Sequence, residues 1–181
     1  MKRYSQSLRR GVGVLAVLAG VGGALASSEQ DQLSFNIART QFNLRMTANN
    51  VTGQEFQVSR APGELRGRVA DVPVTLKLED QKVKGNIGTA VVNLDVKRDG
   101  DAVKAKGGFG GRPVTLTLSP QELTVYVRDC TYRLKAKEPG RTYEGPRSCD
   151  RALTPPTEIK LPDAFLAASP EEQASLLLLA L

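Results

Sequence analysis

From residue 64 onward, apolar and polar residues alternate in short runs, and the runs recur at a nearly fixed interval. Four units cover residues 64–78, 82–96, 102–118 and 122–134, with anchors Leu65, Val83, Val103 and Leu123 spaced 18, 20 and 20 residues apart. Each unit reads as two short strands joined by a tight turn. The first strands place Leu65, Gly67 and Val69 on one face, then Val83, Gly85 and Ile87, then Val103, Ala105 and Gly107, then Leu123, Val125 and Val127. The second strands do the same with Val74, Leu76 and Leu78, then Val92, Leu94 and Val96, then Val114, Leu116 and Leu118, then Cys130, Tyr132 and Leu134. Alternation with period two marks strands with one buried and one wet face.

The residues before the repeat carry the same signal. Leu33, Phe35 and Ile37 alternate with polar residues, as do Phe42, Leu44 and Met46, then Phe56 and Val58. Asn49-Asn50, Ala61-Pro62-Gly63, Glu79-Asp80-Gln81, Arg98-Asp99-Gly100-Asp101 and Ser119-Pro120-Gln121 supply the turns between runs. The pattern predicts an all-β domain over 27–153, an antiparallel meander of about ten short strands. A sheet that long curls, splits or closes, and the small residues Gly67, Gly85 and Ala105 at mid-strand allow a sharp bend. The expected result is a curled sheet or an up-and-down barrel. A β-solenoid is the alternative, since a unit near 20 residues also matches one coil. An outer-membrane barrel fits poorly, because the outward positions carry Lys and Arg and aromatics are only 5% of the chain.

The pattern changes after residue 153. Pro155-Pro156 and Pro162 predict a linker over 154–168, and a helix is predicted over 169–181. Ser169 is placed to cap that helix, Pro170 suits its first position, and Glu172 completes a capping box. Leu176 to Leu179 are consecutive and cover all sides of a helix, so the segment is expected to be buried. At about 18 Å it is too short to cross a bilayer. The expectation is an intramolecular cap on the sheet. A docking tail for a partner is the alternative.

Residues 1–26 read as a secretory signal peptide: Lys2, Arg3, Arg9 and Arg10, then an apolar Gly/Val/Leu/Ala run, then Ala24-Leu25-Ala26 as cleavage signal. The mature chain then has no transmembrane helix, and its expected location is periplasmic, cell-envelope or extracellular. This reading alters the charge argument. The full chain is formally +6, but the first 26 residues hold four of the 25 basic residues and none of the 19 acidic ones, which leaves +2. The excess that remains is local: residues 60–112 carry 11 basic and 7 acidic groups.

Cys130 and Cys149 are the two cysteines of an exported chain and are expected to form a structural disulfide. The chain has no His. That removes Ser-His-Asp and Cys-His catalysis and imidazole-ligated zinc or haem, and no metal site or cofactor is expected. Asp80, Asp99 and Asp101 fall in turns, where Asp is used for local backbone bonding. Asp129, beside Cys130, is expected to face a cation across the sheet. Phe109, between two pairs of glycines, is read as a contact residue in a flexible loop; no phosphate-loop Lys-Ser/Thr follows it.

The candidate functional face is the outward basic row Arg66, Arg68, Lys84, Lys104 and Lys106. It suits an anionic envelope polymer, against the plainer alternative of a solvated face with cross-strand ion pairs. Nucleic acid is not expected, because aromatics do not interleave with the basic positions. Together these features predict an exported, non-enzymatic periplasmic or cell-envelope protein with a structural or binding role, toward an anionic polymer or a protein partner. The alternatives are a lipocalin-like carrier of a small apolar ligand, by architecture only, and an exported hydrolase using carboxylates.

Overall fold

Fourteen strands and two helices follow one another along the chain in the computed structural model, which describes residues 31–181. The predicted signal peptide lies outside the described residues. The strands are β1 (Gln32–Ile37), β2 (Thr40–Met46), β3 (Asn50–Thr52), β4 (Phe56–Ala61), β5 (Glu64–Val69), β6 (Val72–Glu79) and β7 (Lys82–Ile87). They continue as β8 (Ala90–Asp99), β9 (Ala102–Phe109), β10 (Arg112–Leu118), β11 (Glu122–Val127), β12 (Cys130–Glu138), β13 (Thr142–Gly145) and β14 (Thr157–Lys160). Each pairs antiparallel with its neighbours in sequence, and β14 pairs with β1, so the meander closes into an up-and-down barrel. Closure leaves no sheet edge running the length of the molecule.

The strand count exceeds the expected figure of about ten chiefly because three short strands carry weak patterns of their own. β3 has three residues and β13 and β14 four each. The stretch expected to be a linker, 154–168, holds β14 and the short helix α1 (Asp163–Leu166). Prolines flank β14, and four residues give alternation little room. Pairing with β1 on one side and β13 on the other fixes it as a strand.

The inward faces are those the alternation predicts. Leu33, Leu65, Leu76, Val83, Leu94, Leu123 and Val125 are all fully buried. They enclose α2 (Pro170–Ala180), whose residues Gln173 to Leu179 are buried on every side. Ser169 caps α2, its hydroxyl accepting the Glu172 backbone N–H at 3.2 Å. At this end Glu172 pairs with Arg60 at 2.5 Å and Glu171 accepts the Gln81 N–H at 3.2 Å. These acidic groups sit where the helix dipole favours negative charge. The other end of α2, Leu178 and Leu179, lies beside Val69, Ile87, Phe109 and Val127 at the opposite barrel mouth. The helix therefore runs through the lumen, and it is a core element rather than an external cap.

Dimensions agree with this arrangement. Strands about 4.8 Å apart and tilted about 40° give a fourteen-strand barrel a diameter of ~28 Å. A helix about 10 Å across fits inside that ring and leaves room for the wall side chains and for Phe165 of α1. α2 packs nearest to β6, β7, β8 and β9. Mid-strand residues there are small: Gly85, Ala105 and Gly107. The rest of the wall contributes large residues instead, among them Phe35, Met46, Phe56 and Tyr143, and α1 adds Phe165. Gln173, buried inside, donates to the carbonyls of Phe165, Leu166 and Ala168 at 3.1–3.2 Å and ties the loop after α1 to α2.

Cys130 and Cys149 are bonded, with their Cα atoms 5.3 Å apart. The bridge fastens the loop between β13 and β14 to the start of β12. Closing a loop of this size stabilises the fold by about 3 kcal/mol in the chain-entropy account. In the same loop Arg147 pairs with Asp150, and its guanidinium lies over the Tyr132 ring at 5.5 Å.

Tyr143 makes stability depend on alkaline pH. Its ring is buried, its hydroxyl donates to the Ser119 carbonyl at 2.7 Å, and burial pushes its pKa up to about 12. An unfolded tyrosine titrates near 10. The folded state thus holds the proton while the unfolded state loses it, and stability falls as pH rises from about 10 to about 12. Denaturant titrations across that range should show a decline of roughly 2–3 kcal/mol. The Tyr143→Phe variant should be less stable at neutral pH and lack that component of the alkaline decline. An identical pH profile in both proteins would remove Tyr143 as its cause.

Candidate functional site

Two-residue turns fix the register of the long hairpins, and register decides which side chains meet on the outer wall. β7, β8 and β9 are joined in this way to each other and to β6 and β10. Their outward residues are mainly Lys, Asp and Asn, with Val91 an exposed apolar exception, because inward positions are committed to the core. Arg66, Arg68, Lys84, Lys104 and Lys106 all point outward, as the alternation requires. They do not form one continuous row. Arg66 and Arg68 stand on β5, two strands from Lys84 and four from Lys104 and Lys106.

Four of the five have a carboxylate partner. Arg66 pairs with Glu64 at 2.9 Å, Arg68 with Asp71 at 3.8 Å, Lys84 with Glu79 at 2.7 Å and Lys104 with Asp99 at 2.6 Å. The lysines hold the Glu79 and Asp99 carboxyls below the usual carboxylate range, first through a hydrogen bond and then through their charge. Such exposed pairs add little stability individually. Lys106 has no carboxylate within 4.0 Å among the described residues.

Register brings in three lysines that the strand pattern alone did not single out. Lys77 stands directly opposite Lys84, and Lys97 directly opposite Lys104. Lys82 and Lys106 flank Asp95 from the two neighbouring strands, with Lys82 and Asp95 3.8 Å apart. Lys82, Lys97, Lys104 and Lys106 line one groove of about 550 Å³ on the outer wall, with Thr115 and Thr117 of β10 on its far side. The signal for these residues lies in the turn lengths, which set the register.

A second space opens at the mouth where α2 ends. β3 pairs only with Arg45 and Met46 of β2, so the upper part of β2 has no strand beside it on that side. The gap is a slot of about 840 Å³ between β2 and the β3–β4 turn. Phe42, Leu44, Phe56, Val69 and Leu179 line it, with Glu55 and Arg128 at the rim. Phe42 is half-buried and stacks on Phe35 at 4.7 Å.

Phe109 requires a correction. It is the last residue of β9 rather than part of a flexible loop, its ring is buried, and it belongs to the core at the mouth. The period from Val103 through Ala105 and Gly107 runs on to Phe109 without a break, and only Gly110 and Gly111 form the turn. The paired glycines disguised the strand.

The carboxylates considered for hydrolysis are held apart by local partners. Asp80 and Asp101 lie in hairpin turns, Asp99 pairs with Lys104, and Asp129 pairs with Arg112 at 3.3 Å and accepts from Tyr126 at 3.2 Å. The cation expected beside Asp129 is therefore Arg112 at the start of β10, and Asp129 itself lies in the turn between β11 and β12. Among the described residues no group of three or more acidic or sulfur ligands is arranged to hold a metal ion. Comparison with known proteins finds no match: no family model, no curated protein and no solved structure corresponds to this chain.

Proposed function

We propose that the protein is an exported, non-enzymatic binding protein of the periplasm or cell envelope that engages an anionic polymer or a protein partner through the outer wall of its barrel. One observation carries this reading: α2 occupies the lumen, so the interior that a carrier barrel would offer to a ligand is already filled by the chain itself. What is left to a partner is the outside, and there β6 to β9 present a surplus of lysine. The disulfide accords with an oxidising compartment, and the amino-terminal sequence with export.

The experiment is co-fractionation. The tagged chain, expressed with its own leader, is followed through periplasmic and envelope fractions together with a variant carrying Gln at Arg66, Arg68, Lys84, Lys104 and Lys106. The expected result is a processed chain held in a large, salt-sensitive assembly, with retention reduced in the variant. A processed and folded chain that elutes alone from every fraction would refute binding. Retention unchanged in the variant would remove the basic wall from the reading.

The slot beside β2 favours a second reading, a carrier whose small apolar ligand sits at the mouth instead of deep in the barrel. Its walls supply Phe42, Phe56 and Leu179, and its volume suits a small molecule.

A further inference from the structure

We propose that the groove over β7 to β10 is the seat of a flexible phosphate-bearing polymer, held by Lys82, Lys97, Lys104 and Lys106 with help from the hydroxyls of Thr115 and Thr117. This rests on the outer-wall reading above and names the ligand class for that wall.

The first argument is the register. Like charges directly opposite one another destabilise an antiparallel pair. The chain places Lys77 against Lys84 and, one hairpin later, Lys97 against Lys104. Threonine occupies the equivalent outward positions on the strands that follow, where Thr117 faces Thr124. Threonine would fit the lysine positions without the repulsion. Each opposition has one carboxylate for two ammonium groups, Glu79 beside Lys77 and Lys84 and Asp99 beside Lys97 and Lys104, so each keeps a positive excess that a polyanion would offset.

The second argument is incomplete neutralisation. Lys104 has Asp99 and Lys82 has Asp95, but Lys97 and Lys106 have no carboxylate within 4.0 Å among the described residues. All four lysines line the same groove. Neighbouring strands lie about 4.8 Å apart, and residues two apart on a strand lie about 7 Å apart. The ammonium groups therefore cover a patch on the order of 10 by 7 Å, wide enough to meet several anionic groups of one chain together.

The third argument is residue type. The groove is lined by Lys alone among cations, and the two arginines of the original row stand on β5, each with its own carboxylate. A Lys ammonium is a mobile point charge that meets phosphate oxygens from any direction, and the two-bond grip an Arg fork would give a planar carboxylate is missing from the groove. Threonine hydroxyls add donors for the same oxygens. The nearest outward aromatic, Tyr126, is engaged with Asp129, so bases have no free stacking platform here and the phosphates are what is recognised.

The test uses the purified mature chain and four probes: long-chain inorganic polyphosphate, poly(glycerol phosphate), alginate as a carboxylate polymer, and neutral dextran. Both phosphate polymers should bind at low salt. Their affinity should fall with salt at a logarithmic slope of about −3, as four neutralised phosphates on a single strand predict. Alginate should bind at least about tenfold more weakly, and dextran not at all. Changing Lys82, Lys97, Lys104 and Lys106 together to Gln should weaken phosphate-polymer binding by about a hundredfold. The smaller Lys97→Gln, Lys106→Gln pair should weaken it by about tenfold. Lys137→Gln with Lys160→Gln, on β12 and β14 away from the groove, should stay within about twofold of the parent. Near-ultraviolet circular dichroism verifies that each variant is folded.

Equal affinity for alginate, or undiminished binding by the fourfold variant, would overturn the proposal. If phosphate polymers fail to bind while envelope retention persists, the ligand assigned to this groove is wrong and the outer-wall reading stands. Loss of both would overturn both.

Discussion

A chain that ends at Ala168 should not form the barrel. Without α2 the lumen loses Leu176, Leu177, Leu178 and Leu179, each at most 5% exposed in the intact fold. Burying a leucine contributes about 1.5–3 kcal/mol. Four of them are therefore worth ~6–12 kcal/mol, comparable with the ~5–15 kcal/mol that separates a folded domain from its unfolded state. The wall cannot collapse to compensate, because its register is fixed by short turns and its circumference by fourteen paired strands. The truncated chain should show no cooperative thermal transition and should aggregate through its exposed inner face. Leu177→Ala grades the same effect: a cost of about 2–5 kcal/mol in denaturant titrations, which lowers the melting temperature by roughly 5–20 °C at this size. A truncated chain that melts cooperatively at the parent temperature would show that α2 is an appendage and would reopen the docking-tail alternative.

The reason α2 carries so much also explains how far its role was readable beforehand. Ser169, Pro170 and Glu172 announced the start of a helix, and four successive leucines announced burial on every side. Neither feature says what surrounds the helix. That depends on the closure of the barrel, which depends in turn on β14, whose four residues between prolines carry little signal. The wall was more legible. Period-two alternation over β5 to β12 assigned the inner and outer faces residue by residue, because a strand offers no third direction. At Phe109 the glycines on either side hide the same alternation.

The candidate site was legible in part for the same reason. Outward lysines follow from alternation, but their grouping follows from register. Arg66 and Lys104 look equivalent along the chain, yet one stands on β5 beside its own Glu64 and the other faces Lys97 across β8 and β9. Sequence spacing near 20 residues repeats the hairpin, not the neighbours of a given side chain. The slot beside β2 had no signal at all, since it arises from a strand of three residues failing to cover one of seven.

Gly85→Ala should be among the most destabilising single changes in the wall, although it adds one methyl group. Gly85 sits on β7 at a φ of +147°, and a Cβ there would lie well inside van der Waals contact with the Thr75 carbonyl oxygen on β6. That oxygen is backbone and cannot swing aside as a side chain can. Gly67 meets the Gln57 carbonyl and Gly107 the Asn93 carbonyl in the same way, so the bend recurs on β5, β7 and β9. These are the points where the sheet turns sharply enough to close, the use to which glycine is put at barrel corners. An alanine must either push β6 away or abandon the positive φ, and either loosens the pairing of Leu76 with Gly85 behind which α2 packs. A cost of about 3 kcal/mol or more is expected, at or above the top of the usual overpacking range. Gly108→Ala is the control: on β9 beside Gly107, with nothing within 4 Å of an added Cβ, it should change stability by no more than about 0.5 kcal/mol. Equal stability of the two variants by denaturant titration would mean that the corners tolerate a side chain and that closure is imposed elsewhere. If Gly85→Ala instead folds weakly, its polymer affinity should fall as well, because β7 carries Lys82 and its bend sets where that ammonium stands relative to Lys106.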